Sequence, residues 1–210
     1  MPKLVDHDKR KKHIAEATWR VILEQGMEGA TVRNIAKEAG LSLGALRHYF
    51  STQNELLIYA MELVKEQAEA RINQIVVEDL PPKEMMLKIL IELVPITKET
   101  MAEMEVWFAF IAYNRHKEAD FNVLHDGIFN GISRMIHYLR ESKLLKEGLD
   151  VSIETEKLYA LVDGLALHAM LDPNRTSRER LINVLKSHID SICKDMESNV
   201  SGGHADEKEK

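Results

Sequence analysis

Residues 31–50, Thr-Val-Arg-Asn-Ile-Ala-Lys-Glu-Ala-Gly-Leu-Ser-Leu-Gly-Ala-Leu-Arg-His-Tyr-Phe, leave this chain little choice of local fold. Thr31 stands where an N-cap would open one helix, with Val32, Ile35, Ala36 and Ala39 on its apolar face. Gly40 can adopt the left-handed backbone that a tight turn needs. Ser42 then caps a second short helix that points Leu46 and Phe50 inward. Two helices held at an angle by a turn of three or four residues are a common device for laying a helix in the major groove of DNA.

The rest of the chain reads as helix too, and the expected fold class is all-α with about nine helices. Ile14, Ala17, Thr18, Val21 and Ile22 share a face of a first helix over about 8–25, ended by Gly26 and Gly29. Thr52-Gln53-Asn54-Glu55 matches a capping box and starts a fourth helix that runs to about Val77. Pro81-Pro82 stops it, and Pro82 opens a fifth helix to about Val94, broken by Pro95. Further helices are expected over about 97–114, 119–142, 153–171 and 177–195. The division is a helix-turn-helix head over 8–68, a ligand-binding and dimerisation domain over 69–196, and a Gly-, Ser- and charge-rich tail over 197–210 that is expected to be disordered.

Charge is divided along the same line. The net charge is −6, yet residues 1–50 carry nine Lys/Arg against six Asp/Glu, a balance of +3, which leaves −9 on the remaining 160 residues. A basic head on an acidic body presents one end to phosphate. No apolar run approaches the ~18 residues of a membrane helix, and Met1–Lys12 lacks the apolar segment of a secretory signal. A single cysteine, Cys193, excludes an internal disulfide and fits a cytoplasmic setting.

Residues 8–68 resemble the DNA-binding domain of the TetR family of bacterial transcriptional regulators. The resemblance rests on Lys9-Arg10-Lys11-Lys12-His13-Ile14, on Gly26-Met27-Glu28-Gly29-Ala30-Thr31-Val32-Arg33, and on Ile35-Ala36-Lys37-Glu38-Ala39-Gly40-Leu41-Ser42. Leu46-Arg47-His48-Tyr49-Phe50 and the Thr52–Leu57 helix start complete it. Farther on, Met104-Glu105-Val106-Trp107 and Ala160-Leu161-Val162-Asp163-Gly164-Leu165-Ala166-Leu167 are similar to the C-terminal domain of the BetI-like branch. The resemblance implies a homodimer on double-stranded, palindromic operator DNA, and a repressor released by a small-molecule effector. Two positions depart from the family pattern. Gln53 stands where many members have a lysine opening the fourth helix, and Arg47 where many have an aromatic.

Ser42, Leu43, Gly44 and Ala45 open the third helix with side chains small enough to approach base edges, and Leu43 or Ala45 can touch a thymine methyl. The helix start also offers backbone N–H groups to phosphate. By resemblance, Arg33 reaches a guanine edge or the backbone. Thr31, Arg47, His48, Tyr49, Thr52 and Gln53 are the candidate phosphate contacts, which set register and salt dependence. The basic run 9–12 either follows the backbone, reaches the minor groove, or is a solvated helix face.

Apolar stripes of Leu158, Leu161, Val162, Leu165 and Ala169, and of Leu181, Leu185, His188 and Ile192, are candidates for a four-helix interface about a two-fold axis. Periodicity alone equally allows both stripes to face the protomer core. Effector-lining candidates are Met61, Met86, Leu90, Met101 and Met104, with Trp107, Phe108, Ile111, Phe129 and His168. Ten methionines suit an adaptable apolar cavity. No charge cluster is evident among these residues, which favours an uncharged, mainly apolar effector.

Catalysis is not indicated. The chain has no P-loop, Gly-x-Ser-x-Gly, His-Glu-x-x-His or Cys-x-x-Cys, and no cofactor is expected. The nine histidines contain no pair spaced three or four apart, so no helical two-histidine metal site is expected. The alternatives are an activator of the same fold, or a helical interaction protein that does not bind DNA.

Overall fold

The computed structural model describes the backbone of residues 2–114 and 121–194 and the side chains of 7–113 and 127–194. Nine helices appear among them. They are α1 (Pro2–Gly29), α2 (Val32–Glu38), α3 (Leu43–Tyr49), α4 (Gln53–Val76), α5 (Pro82–Glu92), α6 (Lys98–Asn114), α7 (Phe121–Glu141), α8 (Val151–Leu171) and α9 (Arg178–Ile192). The expected disordered tail lies outside the described residues.

Local chemistry places most helix starts. The hydroxyls of Thr31, Ser42 and Thr52 accept the amides of Asn34, Ala45 and Glu55 at 3.2, 3.1 and 3.1 Å, closing the first turns of α2, α3 and α4. Glu55 reaches back to the Ser51 amide at 2.8 Å, one residue before the expected partner of a capping box. Asp150 and Ser177 cap α8 and α9 in the same way. The first helix differs from expectation at its start: it begins at Pro2, a turn and a half earlier, while Gly26 breaks it at φ 70° as expected.

Two apolar cores result. The head core joins Ile14, Val21, Ile35, Leu46, Phe50, Leu56 and Met61, and it also takes in Val106 and Phe110 from α6. The body core joins α5, α7, α8 and α9 through Leu90, Ile132, Ile136, Leu158, Val162, Leu185 and Ile189. Within the protomer α8 packs on α7, α9 on α5, and α1 against α2, α4 and α6. Trp19 Nε1 donates to the Ala60 carbonyl at 2.9 Å and so pins α1 to α4. At the far end, Lys146 N donates to Ile192 O at 2.9 Å and Lys194 N to Leu144 O at 2.7 Å, binding the α7–α8 loop to the end of α9.

Candidate nucleic-acid interface and effector cavity

The turn between α2 and α3 depends on Gly40. Its φ is 65°, and the Gly40 and Leu41 amides return to Lys37 O and Ala36 O at 3.1 and 2.8 Å, which ends α2 sharply. A Cβ at Gly40 would meet nothing within 4 Å, so the backbone angle and not space requires glycine there.

The turn presents α3 outward. Leu46 and Phe50 are buried in the head core, whereas Ser42, Gly44, Arg47 and His48 are exposed and Leu43, Ala45 and Tyr49 are half-buried. Gly44 costs a helix about 1 kcal/mol relative to alanine, yet no atom lies within 4 Å of where its Cβ would be. Nothing inside the chain needs a glycine there, which fits close approach by an external surface. Thr31, Arg33 and Thr52 are exposed around this face. Thr31, Ser42 and Thr52 act as caps through the acceptor side of their hydroxyls, leaving each O–H able to donate.

Gln53 has a second role beside the expected one. Its Nε2 donates to the Ala30 carbonyl at 2.8 Å, tying the start of α4 to the start of α2. The bond uses one N–H of the carboxamide and leaves the other for an external acceptor. In the 9–12 run, Lys11 is also committed: its ammonium lies 5.2 and 5.4 Å from the ring centroids of Phe50 and Tyr59. Lys9, Arg10 and Lys12 stay exposed. His7, just before the expected domain start, joins the interface. Its ring lies 4.8 Å from that of Tyr49 and 6.4 Å from that of His48, and His48 meets Tyr49 edge-on at 5.5 Å. Only the longer α1 makes this contact possible, and nothing in the sequence pattern announced that extension.

A second site opens in the body. A cavity of about 620 Å³ lies between α4 and α7, closed by α5 and α6. Met104 and Trp107 line it as expected, beside Val64, Ala68, Ile72, Met85, Ile89, Ile128 and Met135. Other expected lining residues lie elsewhere. Met61 is sealed in the head core, and Met86 and Leu90 in the body core, because each sits on the inner face of its helix. Phe129 packs edge-on against Tyr159 at 5.5 Å on the α8 side. His168 is exposed, and its backbone carbonyl accepts from Thr176. Met101, Phe108 and Ile111 are half-buried on α6 outside the lining.

The lining is also more charged than expected. Glu92 of α5 and Glu103 of α6 both face the cavity, and both bind Arg71 of α4. Arg71 Nε donates to Glu92 Oε2 at 2.7 Å, and its Nη1 and Nη2 donate to Glu103 Oε1 and Oε2 at 3.1 and 2.8 Å. Hydrogen bonding to Glu103 raises the Arg71 pKa against the opposing effect of burial, so the guanidinium stays charged. Residues 71, 92 and 103 come from three helices, and no periodicity could have paired them.

The expected two-fold face is turned as well. Leu158, Val162 and Ala169 of α8 and Leu181, Leu185 and Ile192 of α9 are buried within the protomer, and Leu161 and Leu165 pack partly against the same core. His188 is half-buried, with Nε2 unpartnered; burial lowers its pKa, against the raising field of Glu154. A different α8 stripe is open. Ile153, Leu167 and Leu171 are 55%, 39% and 70% exposed, and Ala160 and Gly164 lie between them at helical spacing. The residues with the strongest apolar periodicity had already been claimed by the monomer core.

Among the described residues there is no cluster of three or more His, Cys, Asp or Glu able to hold a metal ion, and no helix is long and apolar enough to cross a membrane.

Comparison with known proteins gives a consistent result. Residues 14–60 match the family described as bacterial regulatory proteins, tetR family, and residues 82–194 match BetI-type transcriptional repressor, C-terminal. The chain is 65% identical over 193 residues to the HTH-type transcriptional regulator PksA of Bacillus subtilis (strain 168), covering 92% of this chain and 94% of that protein. It is 28% identical over 190 residues to the HTH-type transcriptional regulator BetI of Escherichia coli (strain K12), covering 90% and 95%. A crystal structure of a transcriptional regulator from Rhodococcus sp. Rha1 superposes with a TM-score of 0.74 at 29% identity, over 87% of this chain and 95% of that one.

Proposed function

The chain belongs to the tetR family of bacterial regulatory proteins and is a DNA-binding transcriptional regulator, not an enzyme; from that premise we propose a homodimeric repressor that a small molecule releases from its operator. The observation that carries the DNA half of this reading is the outward face of α3, where Gly44 lies open at the helix start and Arg47, His48 and Tyr49 flank it. In this reading Ser42, Leu43, Gly44 and Ala45 approach the base edges. Arg33, Arg47, His48 and Tyr49 fix the register on phosphates, with the hydroxyls of Thr31 and Thr52. The head covers 8–68 and the body 69–196, and the setting is the cytoplasm.

One short helix gives little affinity. Two heads on a palindromic site, about 34 Å apart, add their binding energies. The open α8 stripe of Ile153, Ala160, Gly164, Leu167 and Leu171 supplies a self-complementary face for the pairing. The cavity supplies the switch. Its walls are α4, which opens at the DNA face, and α6, which reaches into the head core. A ligand that favours the conformation with misplaced heads by about 1.4 kcal/mol lowers operator affinity about tenfold.

The test is a gel shift with the DNA upstream of the regulator's own gene at low salt. Retention of that DNA is expected, and Arg47→Ala and Tyr49→Ala each weaken it while the melting temperature holds. Retention unchanged in both variants removes the assigned interface.

A further inference from the structure

The cavity is long, and its polar groups are unequal. On α4 it runs from Val64 to Val76, and on α7 from Gly127 to Tyr138, which are spans of about 18 and 16 Å at 1.5 Å per residue. The walls are mainly apolar along that length. At the better exposed positions, Lys65 and Glu69 answer each other at 3.8 Å, and Asn73, Arg134 and Tyr138 are open to solvent. Thr100 is occupied by hydrogen bonds with Thr97 and Ile96 at the start of α6. The least exposed lining groups that carry charge are Glu92 and Glu103, with side chains 24% and 15% exposed.

These two carboxylates share one guanidinium. Glu103 uses both oxygens on Arg71, whereas Glu92 uses Oε2 alone, and its Oε1 has no partner among the described residues. The group of three therefore carries one negative charge in excess, in a half-buried place beside apolar walls. The spare oxygen of such a carboxylate is answered best by a cationic N–H donor. An incoming carboxylate would add to the excess, and an alcohol would satisfy the oxygen without cancelling the charge. A quaternary ammonium would cancel the charge with no N–H to offer. Trp107 contributes an aromatic face to the same lining.

We propose that the cavity takes an elongated, mainly apolar molecule bearing one protonated amine, its ammonium against Glu92 and Glu103 and its carbon chain along the α4–α7 walls. This rests on the reading of the cavity as the effector site. Glu92 is the specificity-determining residue, because of the two carboxylates on Arg71 it alone has an oxygen left over among the described residues.

Calorimetric titration of the full chain with decylamine, decan-1-ol, decanoate and decyltrimethylammonium, each below its aggregation limit, tests it. Decylamine is expected to bind at least about tenfold more tightly than the other three, as a charge-assisted hydrogen bond in a half-buried site requires. Glu92→Gln, which keeps an oxygen for Arg71, brings decylamine down to the level of decan-1-ol. Gly131→Phe, placed where no atom lies within 4 Å of the missing Cβ on the cavity wall, abolishes decylamine binding. Equal binding of the four probes, preference for any of the other three, or binding of none overturns the proposal. So does decylamine binding undiminished in Gly131→Phe, which marks a surface effect of an amine on an acidic protein. The ligand comparison needs no variant, so misfolding of Glu92→Gln leaves it decisive. Operator retention is followed in parallel. Absence of retention without any amine sinks the DNA-binding reading alone, and selective amine binding that leaves retention intact sinks the release mechanism while the ligand class stands.

Discussion

The head and the cavity are built in opposite ways. The DNA face of the head comes almost entirely from one run of twenty residues, with two hydroxyl caps and one left-handed glycine setting its geometry. The cavity draws on four helices spread from Val64 to Tyr138, and its charged feature joins residues 71, 92 and 103. A surface that must fit a regular, repetitive partner can be specified locally. A cavity that works as the proposed switch, answering a small molecule by moving distant parts, needs groups on several helices.

The largest expected effect tests whether that contrast is complete. Phe110 is 3% exposed and packs into the head core although it lies on α6 of the body. Phe110→Ala should cost about 3–5 kcal/mol, seen as a lower melting temperature, and should weaken operator retention although Phe110 is remote in sequence from the DNA face. Unchanged retention in a still-folded variant would mean that the head is indifferent to α6. Next comes the triad. Arg71→Ala leaves two carboxylates facing one another and should destabilise by about 1–3 kcal/mol, discounted from the fully buried case because the groups are partly exposed. Denaturant unfolding measures this, and the double variant Arg71→Met, Glu103→Met should recover part of the loss.

A smaller effect belongs to His7. His7→Ala should weaken operator binding about threefold to tenfold, the cost of about 0.7–1.4 kcal/mol expected when an aromatic ring contact is lost. His7→Phe should restore binding. A positioning role leaves the salt dependence of binding unchanged in both variants, whereas a direct phosphate contact would lower the slope by about one. The smallest effect concerns acid. Burial depresses the His188 pKa, so between that value and the ordinary imidazole value the unfolded chain binds more protons than the folded one. Stability therefore falls as pH drops through this window, and His188→Leu should flatten that part of the pH–stability curve. An identical curve in the variant would assign the acid sensitivity to other groups.

The sequence was most readable where structure is decided within a few residues. Thr31, Gly40, Ser42 and Thr52 each act through atoms no more than five positions away, so the head and most helix boundaries could be written down in advance. Misreadings occurred where two partners competed for one pattern. Leu158, Val162, Leu181 and Leu185 carry the helical periodicity of an interface, but the protomer core takes them, and the open stripe on α8 has a weaker pattern diluted by Ala160 and Gly164. Met61 and Leu90 mark buried helix faces, which a cavity shares with any core. Gln53 reads as a phosphate contact from its place at a helix start, and its bond to the Ala30 carbonyl, 23 residues away, has no local signal.

The chain has two tryptophans, and they stand at the two ends of the proposed switch. Trp107 walls the cavity, and Trp19 is bonded to the Ala60 carbonyl where the first helix meets the fourth. The protein thus carries its own pair of optical probes, one beside the proposed effector site and one at the joint that the release mechanism shifts. Their emission, resolved with single Trp→Phe variants, would time arrival against response without any added dye.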